Sequence, residues 1–64
     1  MTVGIVGLGL IGGSLAKAFK EAGHTVYACN RTKAVEDVAI AAGVIDAPLS
    51  KENIEQCEFI HLSL

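Results

Sequence analysis

Gly7, Gly9 and Gly12, in the run Val6-Gly7-Leu8-Gly9-Leu10-Ile11-Gly12, stand at G-x-G-x-x-G spacing. Each position has its own physical reason for glycine. At Gly7 an apolar run ends and the chain must turn sharply, often at positive φ; at Gly9 the missing β-carbon lets an anion reach the backbone; at Gly12 it lets the following helix lie close to the preceding strand. A helix starting here leaves its first N–H groups without partners. Those donors, with the positive end of the helix dipole, bind a diphosphate without a basic side chain. The chemistry on offer is thus capture of the linked phosphates of a dinucleotide, with Gly7, Leu8, Gly9, Leu10, Ile11 and Gly12 as the contact residues. The spacing alone arises by chance. It becomes specific with a strand before it, a helix after it and a second strand ending about twenty residues further on, and all three are present. The plain alternative, a tight corner with no ligand, does not need three glycines in this register.

Asn30-Arg31-Thr32 closes the second strand. In NAD-binding domains of this type an acidic residue here accepts hydrogen bonds from the adenosine ribose hydroxyls; this chain has Asn30 instead, with Arg31 beside it. A carboxylate about 4 Å from a phosphate charge would cost ~4 kcal/mol at a protein-surface dielectric, before salt screening. Its removal, and the addition of a guanidinium that can grip a phosphate with two prongs, both favour NADP over NAD. The alternative is that Asn30 caps a turn and Arg31 faces solvent. Ser63, at the carboxyl end of the last strand, is a further candidate for the ribose or nicotinamide side, and Ser14 could bond a phosphate or its own helix backbone.

No nucleophile–base constellation can be assembled, so no catalytic residue is expected among these positions. His24 reads as a solvated turn residue. His61 lies in a strand, and strand ends in such sheets point toward the ligand crevice, but the favoured reading is an ordinary strand histidine with a satisfied ring nitrogen. Cys29 and Cys57 match no metal or redox spacing and read as two reduced thiols of a cytoplasmic protein.

The elements that must hold these residues follow from periodicity. Thr2–Val6 is a short, nearly continuous apolar strand. From Leu10 to about Ala22, Ile11, Leu15, Ala18, Phe19 and Ala22 recur at helical spacing, with Lys17, Lys20 and Glu21 opposite and Gly23 as a left-handed stop. Val26–Cys29 is a second strand, made parallel to the first by a right-handed crossover. Thr32 caps a helix over Lys33–Ala42 that Gly43 ends. Val44-Ile45 is a short third strand, and Asp46–Ser50, with Pro48, is a turn. Ser50 caps a brief helical turn over Lys51–Ile54, and Phe59–Leu64 is a final apolar strand. This order predicts an α/β fold: a Rossmann-type parallel sheet, the N-terminal half of a doubly wound domain.

Bulk properties narrow the partners. The chain of 64 residues is 52% apolar with a net charge of −2. At this size a chain buries only about 60% of its unfolded surface, and an apolar last strand without a covering helix leaves a face and an edge open. Residues 1–64 are therefore expected to be the N-terminal portion of a larger nucleotide-binding domain, or to have their sheet completed by a partner. Five scattered basic residues give no nucleic-acid surface. No apolar run approaches the roughly 20 residues of a membrane span.

The run Val6-Gly7-Leu8-Gly9-Leu10-Ile11-Gly12-Gly13-Ser14-Leu15-Ala16 resembles the opening of the prephenate dehydrogenases, including the arogenate and cyclohexadienyl enzymes of tyrosine biosynthesis. Ile-Gly-Gly-Ser-Leu is more particular to that family than the general fingerprint, and Cys57–Leu64 looks like its fourth strand. The resemblance implies NAD(P)-dependent oxidative decarboxylation: a hydride leaves the ring carbon bearing the hydroxyl, carbon dioxide departs, and aromatisation drives the step. It also implies a small-molecule substrate held by a separate helical domain that mediates dimerisation. The family's catalytic histidine and substrate-binding arginine match no residue here. Asn30-Arg31-Thr32 departs from the acidic residue frequent in that family and is similar to the Asn-Arg-Thr of NADP-using phosphogluconate dehydrogenases. A β-hydroxyacid-type NADP dehydrogenase and a non-enzymatic nucleotide-sensing module stand as alternatives.

Overall fold

The computed structural model describes residues 1–63. Its elements are β1 (Thr2–Val6), α1 (Leu10–Glu21), β2 (Thr25–Cys29), α2 (Lys33–Ala41), β3 (Ala47–Pro48), a 3-10 turn (Ile54–Gln56) and β4 (Phe59–Leu62). All strand pairs are parallel, in the order β3-β2-β1-β4, as expected for half of a doubly wound sheet. The order reverses between β1 and β4, and in such sheets that reversal opens a crevice beyond the carboxyl ends of the strands.

Register decides the core. Val3 lies opposite Val26 and Ile5 opposite Ala28, so these four side chains share one sheet face, and all four are fully buried. Ala16 and Ile45 complete the buried cluster, with Leu15, Phe19, Ala39 and Val44 packed around it. On the other face Gly4 has no side chain, and Cys57 Sγ, Leu49 and Ile60 close over it.

Both helices stop as their sequences predict. Gly23 and Gly43 adopt φ of +91° and +73°, and each helix ends in the same paired bonds. His24 N donates to Phe19 O and Gly23 N to Lys20 O; Val44 N donates to Ala39 O and Gly43 N to Ile40 O. These pairs satisfy carbonyls that a helix end leaves exposed.

The third strand is displaced from its expected place. Val44 closes the α2 stop and Ile45 sinks into the core at 2% exposure, so neither is free to pair. Pairing begins at Ala47-Pro48, within the segment expected to be a turn. A proline fits there because β3 is an edge strand and needs no outward N–H. Asp46 prepares the approach: its Oδ2 accepts the Val26 N–H at 2.7 Å and its Oδ1 meets Lys20 Nζ at 2.8 Å.

Ser50 and Asn53 bond reciprocally, Ser50 N donating to Asn53 Oδ1 and Asn53 N to Ser50 Oγ. The cap thus falls where expected, while the helical turn itself comes later, at Ile54–Gln56. β4 runs along β1 with Phe59, Ile60 and Leu62 between 43% and 63% exposed. The expected strand continued to Leu64, which lies outside the described residues. His24 is not a solvated turn residue. It is half-buried, its ring meets Phe19 edge-on at 5.7 Å, and its Nδ1 lies 3.1 Å from the Met1 amino nitrogen.

Candidate nucleotide-binding cleft

The carboxyl ends of β1 and β2, the start of α1 and Ser63 enclose a cleft of about 510 Å³. Of the residues singled out from sequence, it brings together Gly7, Gly9, Asn30, Arg31, Thr32 and Ser63, with Val6 and Cys29 also in its walls. Leu8 does not line this cleft; it lines a shallower depression with Gly9, Leu10, Gly13, Ser14 and Lys17. The Leu10 and Ile11 side chains do not line the cleft. They are 90% and 71% exposed and border an apolar groove with His61.

Close backbone approach builds the floor. Gly7 turns at φ +96°, and a β-carbon on it would overlap the Ser63 carbonyl oxygen. A β-carbon on Gly12, buried one turn into α1, would overlap the Gly7 carbonyl oxygen and crowd the Ser63 β-carbon. Gly12 thus serves the close helix-to-strand packing read from its position. Gly9 differs: it is exposed, and nothing lies within 4 Å of where its β-carbon would be. Its open side leaves room for an outside group to reach the main chain.

The amides of the loop divide into two sets. Gly7 N donates to Cys29 O at 2.8 Å and Leu8 N to Asn30 Oδ1 at 2.9 Å, so these two are engaged within the protein. Gly9 is the residue before the helix and supplies no side-chain cap. The N–H groups of Gly9, Leu10, Ile11 and Gly12 have no acceptor among the described residues, and they carry the positive end of α1. These backbone donors stand beside Gly9, the one of the three motif glycines whose flank is open. Leu10 and Ile11 can take part through these amides and not through their side chains. Ser14 Oγ donates to Leu10 O at 2.9 Å and is held within its own helix.

The far end of the cleft is built on the corner between β2 and α2. Asn30 links this corner to the glycine loop through Leu8, and its Nδ2 stands 3.5 Å from Thr32 O. Arg31 is exposed and makes no ion pair among the described residues. Thr32 occupies the expected position before α2, but its hydroxyl makes no cap bond; its carbonyl accepts Val35 N at 3.1 Å.

Glu36 was not foreseen. Its Oε2 accepts the Asn30 N–H at 2.8 Å and ties the first turn of α2 to the end of β2. The signal available was a carboxylate near a helix N-terminus, displaced by one residue from the Thr-x-x-Glu pattern of a capping box. Burial pushes the Cys29 thiol up, and the neighbouring Glu36 charge pushes it further the same way.

His61 faces α1 from β4, opposite Ile5 in register, away from the cleft. Cys29 and Cys57 are free and half-buried. Among the described residues no three His, Cys, Asp or Glu side chains are placed to hold a metal ion, and no helix is long and apolar enough to cross a membrane.

The family model of the NAD binding domain of 6-phosphogluconate dehydrogenase matches residues 2–64. No curated protein matches the chain. Among solved structures, an arogenate dehydrogenase from Synechocystis is 32% identical with a TM-score of 0.85, the match covering 97% of this chain and 23% of that one. A prephenate dehydrogenase from A. aeolicus, solved with hydroxyphenyl propionate and NAD+, is 30% identical with a TM-score of 0.80, covering 100% of this chain and 24% of that one. The chain spans about a quarter of the length of either enzyme.

Proposed function

Because this chain belongs to the family of NAD-binding domains described for 6-phosphogluconate dehydrogenase, we propose that it is the N-terminal part of the nucleotide-binding domain of a dehydrogenase acting on prephenate or arogenate in tyrosine biosynthesis. The observation that carries the reading is the set of amides from Gly9 to Gly12, without acceptors among the described residues, beside a cleft at the carboxyl ends of β1 and β2 that Gly9 lines. The likeness to arogenate and prephenate dehydrogenases over nearly the whole chain supports the choice of enzyme.

The residues present fit a nicotinamide dinucleotide. The amides of Gly9 to Gly12 would hold its two phosphates, with the bare flank of Gly9 admitting them; Gly7 and Leu8 would shape the loop through their bonds to Cys29 and Asn30. Arg31 and Thr32 would face the adenosine ribose, and Arg31, free of any carboxylate partner among the described residues, favours NADP over NAD. Ser63 lies on the other side of Gly7 and would meet the nicotinamide half. When bound, the cofactor takes up a hydride at its nicotinamide ring. Catalytic and substrate-binding groups would come from the remainder of a cytoplasmic, homodimeric protein.

A second reading has its own support: the family model and the Asn30-Arg31-Thr32 corner also suit a β-hydroxyacid-type NADP dehydrogenase. The test is turnover by the full-length protein of prephenate, arogenate and a series of 3-hydroxy acids, each with NADP and with NAD. Oxidation of prephenate or arogenate is expected. Oxidation of a 3-hydroxy acid alone would replace the first reading by the second, and cofactor binding without any turnover would make the protein a nucleotide sensor.

A further inference from the structure

The end of β2 carries no acidic residue, yet a carboxylate stands there. Glu36 reaches back from α2 and places its Oε2 2.8 Å from the backbone nitrogen of Asn30, a residue of the cleft wall between Cys29 and Arg31. The side chain is half-buried and bound at one oxygen, so its charge is held in place and not dispersed over a mobile surface group. Its other oxygen, Oε1, has no protein donor among the described residues.

Building on the proposed dinucleotide function, we infer that Glu36 is a specificity-determining residue of this cleft, its carboxylate opposing a phosphate on the adenosine ribose and offering Oε1 to an unmodified ribose hydroxyl. Two opposite charges then set the choice of cofactor. Arg31, exposed on the same corner, attracts the extra phosphate of NADP; Glu36, fixed through Asn30, limits that attraction. The upward push that Glu36 exerts on the Cys29 thiol agrees with a negative field reaching the cleft wall. The chain would bind both cofactors, with a preference for NADP smaller than the Asn30-Arg31 pair alone would give.

The test measures Kd for NADP and for NAD by titration calorimetry on the full-length protein, in the wild type and in two variants. Glu36→Gln keeps an oxygen acceptor for Asn30 N–H and removes the charge; NADP affinity relative to NAD should rise about three- to tenfold, as expected for a charge roughly 6 Å from a phosphate in a solvent-exposed cleft. The increase should shrink at high salt, which loss of a purely structural bond would not do. Glu36→Asp keeps the charge on a shorter arm, so it should leave the ratio within about twofold of wild type even if both affinities fall. An unchanged ratio in Glu36→Gln, or an equal rise in Glu36→Asp, overturns the inference while leaving the dinucleotide reading intact. Failure of the wild type to bind either cofactor overturns both.

Discussion

Asn30 offers the sharpest separation between shaping the glycine loop and choosing the cofactor. Its Oδ1 accepts the Leu8 N–H at 2.9 Å in a partly buried setting. Asn30→Ala leaves that N–H without its acceptor. Such a bond contributes about 0.5–1.5 kcal/mol net, and a fully desolvated donor left alone costs about 1–3 kcal/mol. Leu8 is half-buried, so about 1 kcal/mol is the reasonable figure. The loss loosens the loop before either cofactor is distinguished, and Kd for NADP and NAD should therefore rise together, by about three- to tenfold. Asn30→Asp restores an oxygen at the same place and strengthens the bond to Leu8 N–H by its charge. It also adds a carboxylate near the ribose. At about 6 Å in a water-like dielectric, two unit charges interact by ~0.7 kcal/mol, and a phosphate of nearly two charges doubles that. NADP should then bind about tenfold more weakly at low salt, with NAD within about twofold of wild type. The assay is calorimetric titration of both cofactors into the full-length wild type and both variants. If Asn30→Ala weakened NADP alone, Asn30 would be a phosphate ligand and not a loop clamp, and the argument built on its bond to Leu8 would fail.

Other changes test the remaining parts of the cleft. Arg31→Ala should lower kcat/KM for NADP about tenfold or more and leave NAD nearly unaffected; equal losses in steady-state assays would make Arg31 an ordinary surface residue. Gly9→Val should weaken both cofactors by an order of magnitude without lowering Tm, since nothing of the protein lies within 4 Å of the added β-carbon; unchanged affinity would place the phosphates elsewhere. Gly12→Ala should instead lower Tm, by about 2 kcal/mol of stability, because the new carbon overlaps the Gly7 carbonyl; an unchanged melting curve would mean that the helix can move away from the strand. Asp46 tests the sheet edge: burial alone would raise its carboxyl, but the Lys20 ammonium and the Val26 N–H outweigh this and hold it below its ordinary value. With the folded value depressed, its contribution is present above about pH 4 and lost as pH falls through the folded value. Asp46→Asn should flatten the dependence of Tm on pH in that acid range, and an unchanged slope would assign the acid sensitivity to other groups.

Where local chemistry decided the outcome, it was legible in the sequence. The three glycines fixed a strand, a corner and a helix start, and Gly23 and Gly43 marked both helix ends, because positive φ and side-chain-free contact have almost no other solution. Asn30, Arg31, Thr32 and Ser63 were legible as neighbours of the glycine corner for a topological reason: parallel strands deliver their carboxyl ends to one side of the sheet. What stayed hidden depended on contacts between distant residues. Val44-Ile45 has strand-forming side chains, but the α2 stop and the core claim both, and pairing moves to a segment whose proline argued for a turn. The solvated reading of His24 failed because Phe19 and the amino terminus meet there. Nothing in the local pattern disclosed that Asn30 would turn its side-chain oxygen to Leu8, or that Glu36 would reach Asn30; the first bond exists because β1 and β2 pair side by side, the second because α2 folds back across the corner.

Where Gly7, Gly12 and Ser63 meet, main chain rests on main chain, with only the Ser63 β-carbon beside Gly12 to cushion a shift. Such a joint behaves as a rigid coupling: a displacement of the β4 terminus would be carried undamped into the first turn of α1. Events on the Ser63 side of the cleft would thus reach the amide row through close main-chain contact, whereas the Arg31 side reaches the loop through the Asn30–Leu8 hydrogen bond, a softer connection.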